Sequence, residues 1–249
     1  MPRLRVSALD SLRSIYETQL EWQQALNVYR LLARIKAAPP RAVSAHYLCE
    51  LAGVAMERGD AATARRLLRE ARAEVPPFPR AAVLRARIAE RDGDVGLAVR
   101  LLRTALHQAP KLMQEELPHL LRLVAPEHRE AVLTELAAQA ESYDRDAPKR
   151  LVFAALSAGL NDAPPLHALI AKVFAEDPML HAVWMSDSHR LDLGHGGATR
   201  VAQEIGALLA HAENYRCLEC GFSGRSFYWH CPACHAWDSF EPHAIVKLG

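Results

Sequence analysis

Little in this sequence is built for long-range attraction or for a bilayer interior. Its 249 residues carry a formal net charge of +1, with acids and bases mixed along the whole length. That balance gives no field to draw in nucleic acid or anionic lipid. Long apolar runs are missing: the longest uncharged apolar-rich stretch, Leu151 to Asn161, is too short to cross a membrane. Met1 to Leu20 carries Arg3, Arg5, Asp10, Arg13 and Glu17, which excludes the apolar segment of a secretory signal. Signatures of catalysis are missing too. There is no phosphate loop, no GxSxG, no HExxH and no Gly-rich turn after a strand. Twelve histidines are scattered along the chain, and His189 and His195 near Asp187 and Asp192 form the one local cluster, which a polar loop between helices explains. The expectation is a soluble, cytoplasmic, non-catalytic chain, long enough for a packed interior.

What is present is mostly helix. From about residue 7 to 210, Ala, Leu, Arg and Glu dominate, apolar residues recur at three- and four-residue spacing, and β-branched runs are scarce. Five pairs of residues fall 34 positions apart: Gly59 and Gly93, Asp60 and Asp94, Ala64 and Ala98, Ala71 and Ala105, Pro76 and Pro110. This is the length of a tetratricopeptide unit, a helix–turn–helix repeat. The residue types suit it. Glycine accepts the left-handed end of the first helix, and aspartate caps the second. Alanine lets the helices cross closely, and proline ends the second helix. An earlier copy aligns on Ala25, with Leu9, Leu12, Tyr16, Tyr29 and Leu32 at apolar positions and Glu21-Trp22 at its turn. After Pro110 the pattern degrades, although Leu112 to Ser142 and Ala147 to Glu176 still read as helical hairpins. Asp177 to Gly197 is less regular, and Ala198 to Glu213 reads as a last amphipathic helix running straight into the next module. So short a join predicts that the module packs against the last helices. The fold class expected is all-α, a helical-repeat solenoid over residues 1–213 with a small metal-binding module over 214–249.

The chain has five cysteines, four of them as Cys217-x-x-Cys220 and Cys231-x-x-Cys234 near its end. Each CxxC turn aims two thiolates at one centre, and the residue after the second cysteine often needs positive φ, which suits Gly221. Two facing turns give tetrahedral sulfur coordination of one zinc or iron ion. Four thiolates close the shell, so His230 and His235 are not needed as ligands. Phe222, Phe227, Tyr228, Trp229, Trp237 and Phe240 are dense here, as befits a module whose core is metal plus aromatics. From Cys217 onward two bases, Arg225 and Lys247, face three acids, Glu219, Asp238 and Glu241, the wrong balance for phosphate binding. Cys49, alone in a helical pattern, reads as a small buried hydrophobe.

CxxCGF followed by CPxC is similar to the knuckles of rubredoxin, which is longer between them and usually has glycine where His235 stands. The string Tyr215-Arg-Cys-x-x-Cys-Gly-Phe, then Tyr228-Trp-His-Cys-Pro-x-Cys-x-Ala-Trp237, resembles the lipopolysaccharide assembly protein B family of Gram-negative bacteria. The repeat array, including Glu21-Trp-Gln-x-Ala25, fits that family as well. The resemblance implies an N-terminal membrane helix, which this sequence does not show, placing the repeats and module on the cytoplasmic face of the inner membrane. It also implies an adaptor that restrains lipopolysaccharide synthesis. Such an adaptor delivers the committed-step deacetylase to a membrane-bound AAA protease under control of an inner-membrane sensor.

Two readings of function follow. In the first, the chain is an adaptor whose first helices line a docking surface, with Arg80, Arg87 and Arg91 as a patch for an acidic partner. The corresponding positions one repeat earlier, His46, Cys49, Gly53 and Glu57, share no chemistry. In the second, iron in the four-cysteine site carries electrons, as in true rubredoxins. Whether the array forms a homodimer stays open.

Overall fold

The computed structural model describes residues 2–35, 38–143, 146–160, 163–176 and 215–242. The expected last helix at 198–213, the contacts of the module with it, and the cluster of His189, His195, Asp187 and Asp192 lie outside the described residues. The chain divides into two compact units, one of residues 1–105 with 228–239, the other of residues 106–227 with 240–249.

The first unit is built from helix pairs. α1 (Pro2–Thr18) pairs with α2 (Trp22–Arg34), α3 (Arg41–Glu57) with α4 (Ala61–Glu74), and α5 (Pro79–Arg91) precedes α6 (Val95–Gln108). The five pairs in the sequence fall at the ends and crossings of these helices. Gly59 and Gly93 take φ of 77° and 81°. Asp60 and Asp94 follow, and their backbone N–H groups donate to the carbonyls of Ala55 and Ala89 at 2.8 and 2.9 Å. Their carboxylates accept from the N–H of Thr63 and Leu97, each at 2.9 Å, and so cap α4 and α6. Ala25, Ala64, Ala71, Ala98 and Ala105 are all fully buried at the crossings. The core between the pairs is closed by Leu26, Tyr29, Tyr47, Leu48 and Leu68.

The first pair keeps this turn without its glycine. Leu20 sits in the left-handed region at φ 59°, and Glu21 N–H donates to the Tyr16 carbonyl at 2.8 Å. Glu21 makes no side-chain cap. The geometry of the glycine turn is thus imposed on a leucine, which L-residues resist. Of the apolar positions expected in this pair, Tyr29 and Leu32 are buried and Leu9 and Tyr16 half-buried, but Leu12 is exposed at 37%.

In the second unit, after a 3-10 turn at Pro110–Leu112, come α7 (Met113–Leu123), α8 (Pro126–Tyr143), α9 (Ala147–Ser157) and α10 (Pro164–Glu176). The helices expected over 112–142 and 147–176 are these four, but only α9 and α10 pack as the pair expected; α7 lies mainly against α9, and α8 against α9 and α10. The turn after α9 repeats the earlier device: Gly159 takes φ 73° and Leu160 N–H donates to Ala155 at 2.9 Å. A small antiparallel sheet of order β2-β1-β3 completes the unit, from β1 (Tyr215–Cys217), β2 (Ser223–Gly224) and β3 (Phe240–Pro242). Among the described residues no helix is long and apolar enough to cross a membrane.

Candidate metal centre

Each CxxC motif folds into the same small knuckle. In the first, Cys217 N–H donates to the Phe222 carbonyl at 2.8 Å, and Gly221 N–H returns to the Cys217 carbonyl at 2.9 Å. In the second, Cys231 N–H donates to Ala236 at 2.9 Å, and His235 N–H donates to Cys231 at 3.0 Å. The residue after the second cysteine has positive φ in both, 78° at Gly221 and 61° at His235. The reading of Gly221 from the sequence is met, and His235 adopts the same geometry with a side chain that tolerates it better than most.

The four thiols of Cys217, Cys220, Cys231 and Cys234 lie within 4.8 Å of one another. Ligands about 2.3 Å from a tetrahedral ion would have sulfurs about 3.8 Å apart, so the cluster closes onto one ion with little movement. All four donors are sulfur, the chemistry that zinc and iron select. When bound, the ion supplies a structural cross-link; four thiolates leave no open position for substrate. Cys217 and Cys231 are buried, whereas Cys220 and Cys234 reach solvent. The first knuckle also belongs to the packing of the second unit. Glu115 accepts from the Phe227 N–H at 3.0 Å, Lys111 pairs with Glu241 at 3.2 Å, and Phe227 packs on Tyr215 with ring centroids 5.6 Å apart. Burial, with Glu115 and Glu116 nearby, pushes the Tyr215 phenol well above its ordinary range.

The second knuckle is held within the first unit by aromatics. The Trp237 ring meets Trp22 at 5.7 Å, Tyr47 at 5.7 Å and His46 at 4.8 Å, nearly parallel to the last. Its indole N–H donates to Glu17 at 3.1 Å. Glu17 is 4% exposed, and also accepts from Arg13 Nη1 at 2.7 Å and from the Tyr47 hydroxyl. Burial, reinforced by that carboxylate, holds the Tyr47 phenol protonated far above its usual range. Of the aromatics expected to form a core, Phe240 is buried, whereas Phe222 and Tyr228 are exposed. Three of the module's rings pack instead on the repeat helices: besides Trp237, Trp229 lies 5.7 Å from His46, and His230 lies 5.7 Å from Trp22.

This packing corrects the arginine patch. Arg80 is only 8% exposed, pairs with Glu50 at 2.7 Å, bonds His46 Nδ1 at 3.1 Å, and lies under the rings of Trp229 and Trp237 at 5.6 and 5.7 Å. It is therefore not exposed alongside Arg87 and Arg91. Those two are at the surface, and Arg91 donates to the Met56 carbonyl at 3.0 Å. The positions without common chemistry have a reason to differ: His46 and Cys49 are buried, and His46 serves the knuckle. Cys49 is the small core residue expected, and burial pushes its thiol up to about 12. Glu17 and Tyr47 carry no local signal in the sequence, and neither does Phe78, whose ring lies 5.0 Å from that of His46. Only the 34-residue spacings of Arg13 to Tyr47 and of His46 to Arg80, polar or aromatic residues at like positions, hinted at a shared contact.

Paired helices repeating at 34 residues and a thiolate knuckle module define a helical-repeat protein with a rubredoxin-type metal site. Residues 215–242 match the family described as rubredoxin metal binding domain. Beyond the module, the chain is similar to lipopolysaccharide assembly protein B of Escherichia coli strain K12, 26% identical over 243 residues. That match takes in 96% of this chain and 62% of the relative. The protein of the same name from Haemophilus influenzae is 25% identical over 246 residues, 97% of this chain and 62% of its own length. The chain thus spans somewhat less than two thirds of these relatives.

Proposed function

We propose that the chain is a non-catalytic adaptor in the control of lipopolysaccharide assembly, acting at the cytoplasmic face of the inner membrane. In this reading the helical array, residues 1–213, docks proteins, and the module, residues 214–249, braces it. The proteins brought together are the committed-step deacetylase of lipid A synthesis and a membrane AAA protease, under an inner-membrane sensor. The observation that carries the reading is similarity to lipopolysaccharide assembly protein B across array and module together. A closed shell of four thiolates supports it, since such a site braces better than it catalyses. Arg87 and Arg91 remain as a surface for an acidic partner, without Arg80.

Affinity capture from lysate with the metal-loaded chain as bait tests this. Recovery of the deacetylase or the protease supports it; their absence from crosslinked captures refutes it. Because Cys220 and Cys234 reach solvent, a redox role has its own test. A red sample bleached by dithionite would favour iron electron transfer, and a colourless sample with one zinc would oppose it.

A further inference from the structure

The side of the helix pairs that carries His46 and Arg80 is covered within the first unit by Trp229 and Trp237. The opposite side of α4 is different. Arg65, Arg69 and Arg72 stand at i, i+4 and i+7 on its exposed face, so they line one side over about 10 Å of helix. Of the acids nearby, one neutralises Arg65 and the others are engaged elsewhere. Glu70 pairs with Arg30 at 2.6 Å, and Glu74 accepts from Ser44. Asp92 takes Arg65. Among the described residues, Arg69 and Arg72 have no carboxylate at ion-pair distance, and neither has Arg85 on the neighbouring helix α5. Like charges so placed repel. Arg85 feels Arg72 as a like charge, and partial burial together with that charge holds its pKa below the usual guanidinium range. A stripe of this kind loses stability in isolation and regains it when an anion settles on it.

We propose that Arg69 and Arg72 of α4, with Arg85 of α5, form a docking surface for an extended acidic segment of a partner protein. Guanidinium groups bind carboxylates in bidentate fashion, as planar forks. Arg69 and Arg72 have β-carbons about 5–6 Å apart, and carboxylates at alternate positions of an extended chain, about 6.6 Å apart, fall within reach of both flexible side chains. The exposed face of α4 otherwise offers only Ala62, Arg65, Arg66 and Ala73, with no large apolar group to enter a membrane. A net charge of +1 gives no wider field to gather nucleic acid. The surface deepens the adaptor reading, on which it rests, by naming the chemistry it would recognise.

Fluorescence anisotropy of a labelled octaglutamate peptide, titrated with the metal-loaded chain, tests it. Saturable binding is expected at about 50 mM salt, weakening at about 300 mM. Arg69→Glu/Arg72→Glu should weaken it about tenfold with an unchanged circular dichroism spectrum. The milder Arg69→Gln/Arg72→Gln should weaken it about threefold, and Arg87→Glu/Arg91→Glu by less than about twofold. Wild-type affinity in both Arg69/Arg72 variants, or no binding at low salt, would overturn the proposal. So would tighter binding to phosphatidylglycerol vesicles or to a single-stranded oligonucleotide that the same variants abolish. Failed capture of the deacetylase or protease would sink the adaptor reading and leave this result standing. Absence of octaglutamate binding would sink the surface alone.

Discussion

Glu17 is the residue whose removal should be felt most sharply. Its carboxylate is almost wholly buried and receives Arg13, the Tyr47 hydroxyl and the Trp237 indole N–H. Glu17→Ala strands two neutral donors, each worth about 1–3 kcal/mol when left without an acceptor. Arg13 loses less, because it keeps Asp10 at 2.8 Å and is 17% exposed. A water entering the vacated space would return part of the loss. The expected destabilisation is about 3–5 kcal/mol, against about 1–2 kcal/mol for Glu17→Gln, which retains an acceptor oxygen. Urea unfolding followed by tryptophan fluorescence suits the measurement, since Trp22, Trp229 and Trp237 all belong to this cluster. A double-mutant cycle sharpens it. With Trp237→Phe in place, Glu17→Ala strands one donor fewer, so the two losses should fall short of additivity by about 1 kcal/mol. A loss below about 1 kcal/mol in Glu17→Ala, or strict additivity, would refute this account of how the second knuckle is held.

Other perturbations test other parts of the fold. Leu20→Gly should raise the stability of the first unit by about 1 kcal/mol, because glycine accepts a left-handed turn that leucine resists; an unchanged denaturation midpoint would count against it. Ala64→Arg and Ala98→Arg, at fully buried crossings, should overpack the array by about 1–3 kcal/mol or more, visible as a lower melting temperature by circular dichroism. Cys231→Ser should leave less than one bound ion per chain by elemental analysis and shift the tryptophan emission to the red, as the second knuckle loosens. Cys49, with its thiol near 12, should resist iodoacetamide at pH 8, where about one part in ten thousand is thiolate, and react once the chain is unfolded in urea.

The repeat was legible because its signals are local. Gly59-Asp60 and Gly93-Asp94 announce the turns by backbone chemistry, and Ala64 and Ala98 announce the crossings by size. The first pair was read in spite of Leu20, since Ala25 and its apolar neighbours carried the register. The four metal ligands were legible for the same reason: CxxC is a local geometry. What stayed hidden depends on which surfaces meet. Nothing along the chain says that Trp237 lies on His46 or that Trp229 covers Arg80, since these residues are separated by well over a hundred positions. Arg80 therefore read as a solvated guanidinium on a helix face. Only tertiary packing reveals that Glu50, His46 and two indoles surround it.

Arrays of identical units usually change length with ease, because each unit touches only its neighbours. The second knuckle removes that freedom from the stretch between α1 and α5. Trp237 reaches Glu17 of α1, Trp22 of α2 and Tyr47 of α3, while its ring also faces Arg80 of α5. Inserting a 34-residue helix pair between α3 and α5 would carry Arg80 beyond reach of a ring already committed to Glu17. Deleting a pair would remove part of the seat itself. Duplication and loss of units should therefore be tolerated only outside this stretch, and a chain lengthened within it should shed the knuckle from its helices.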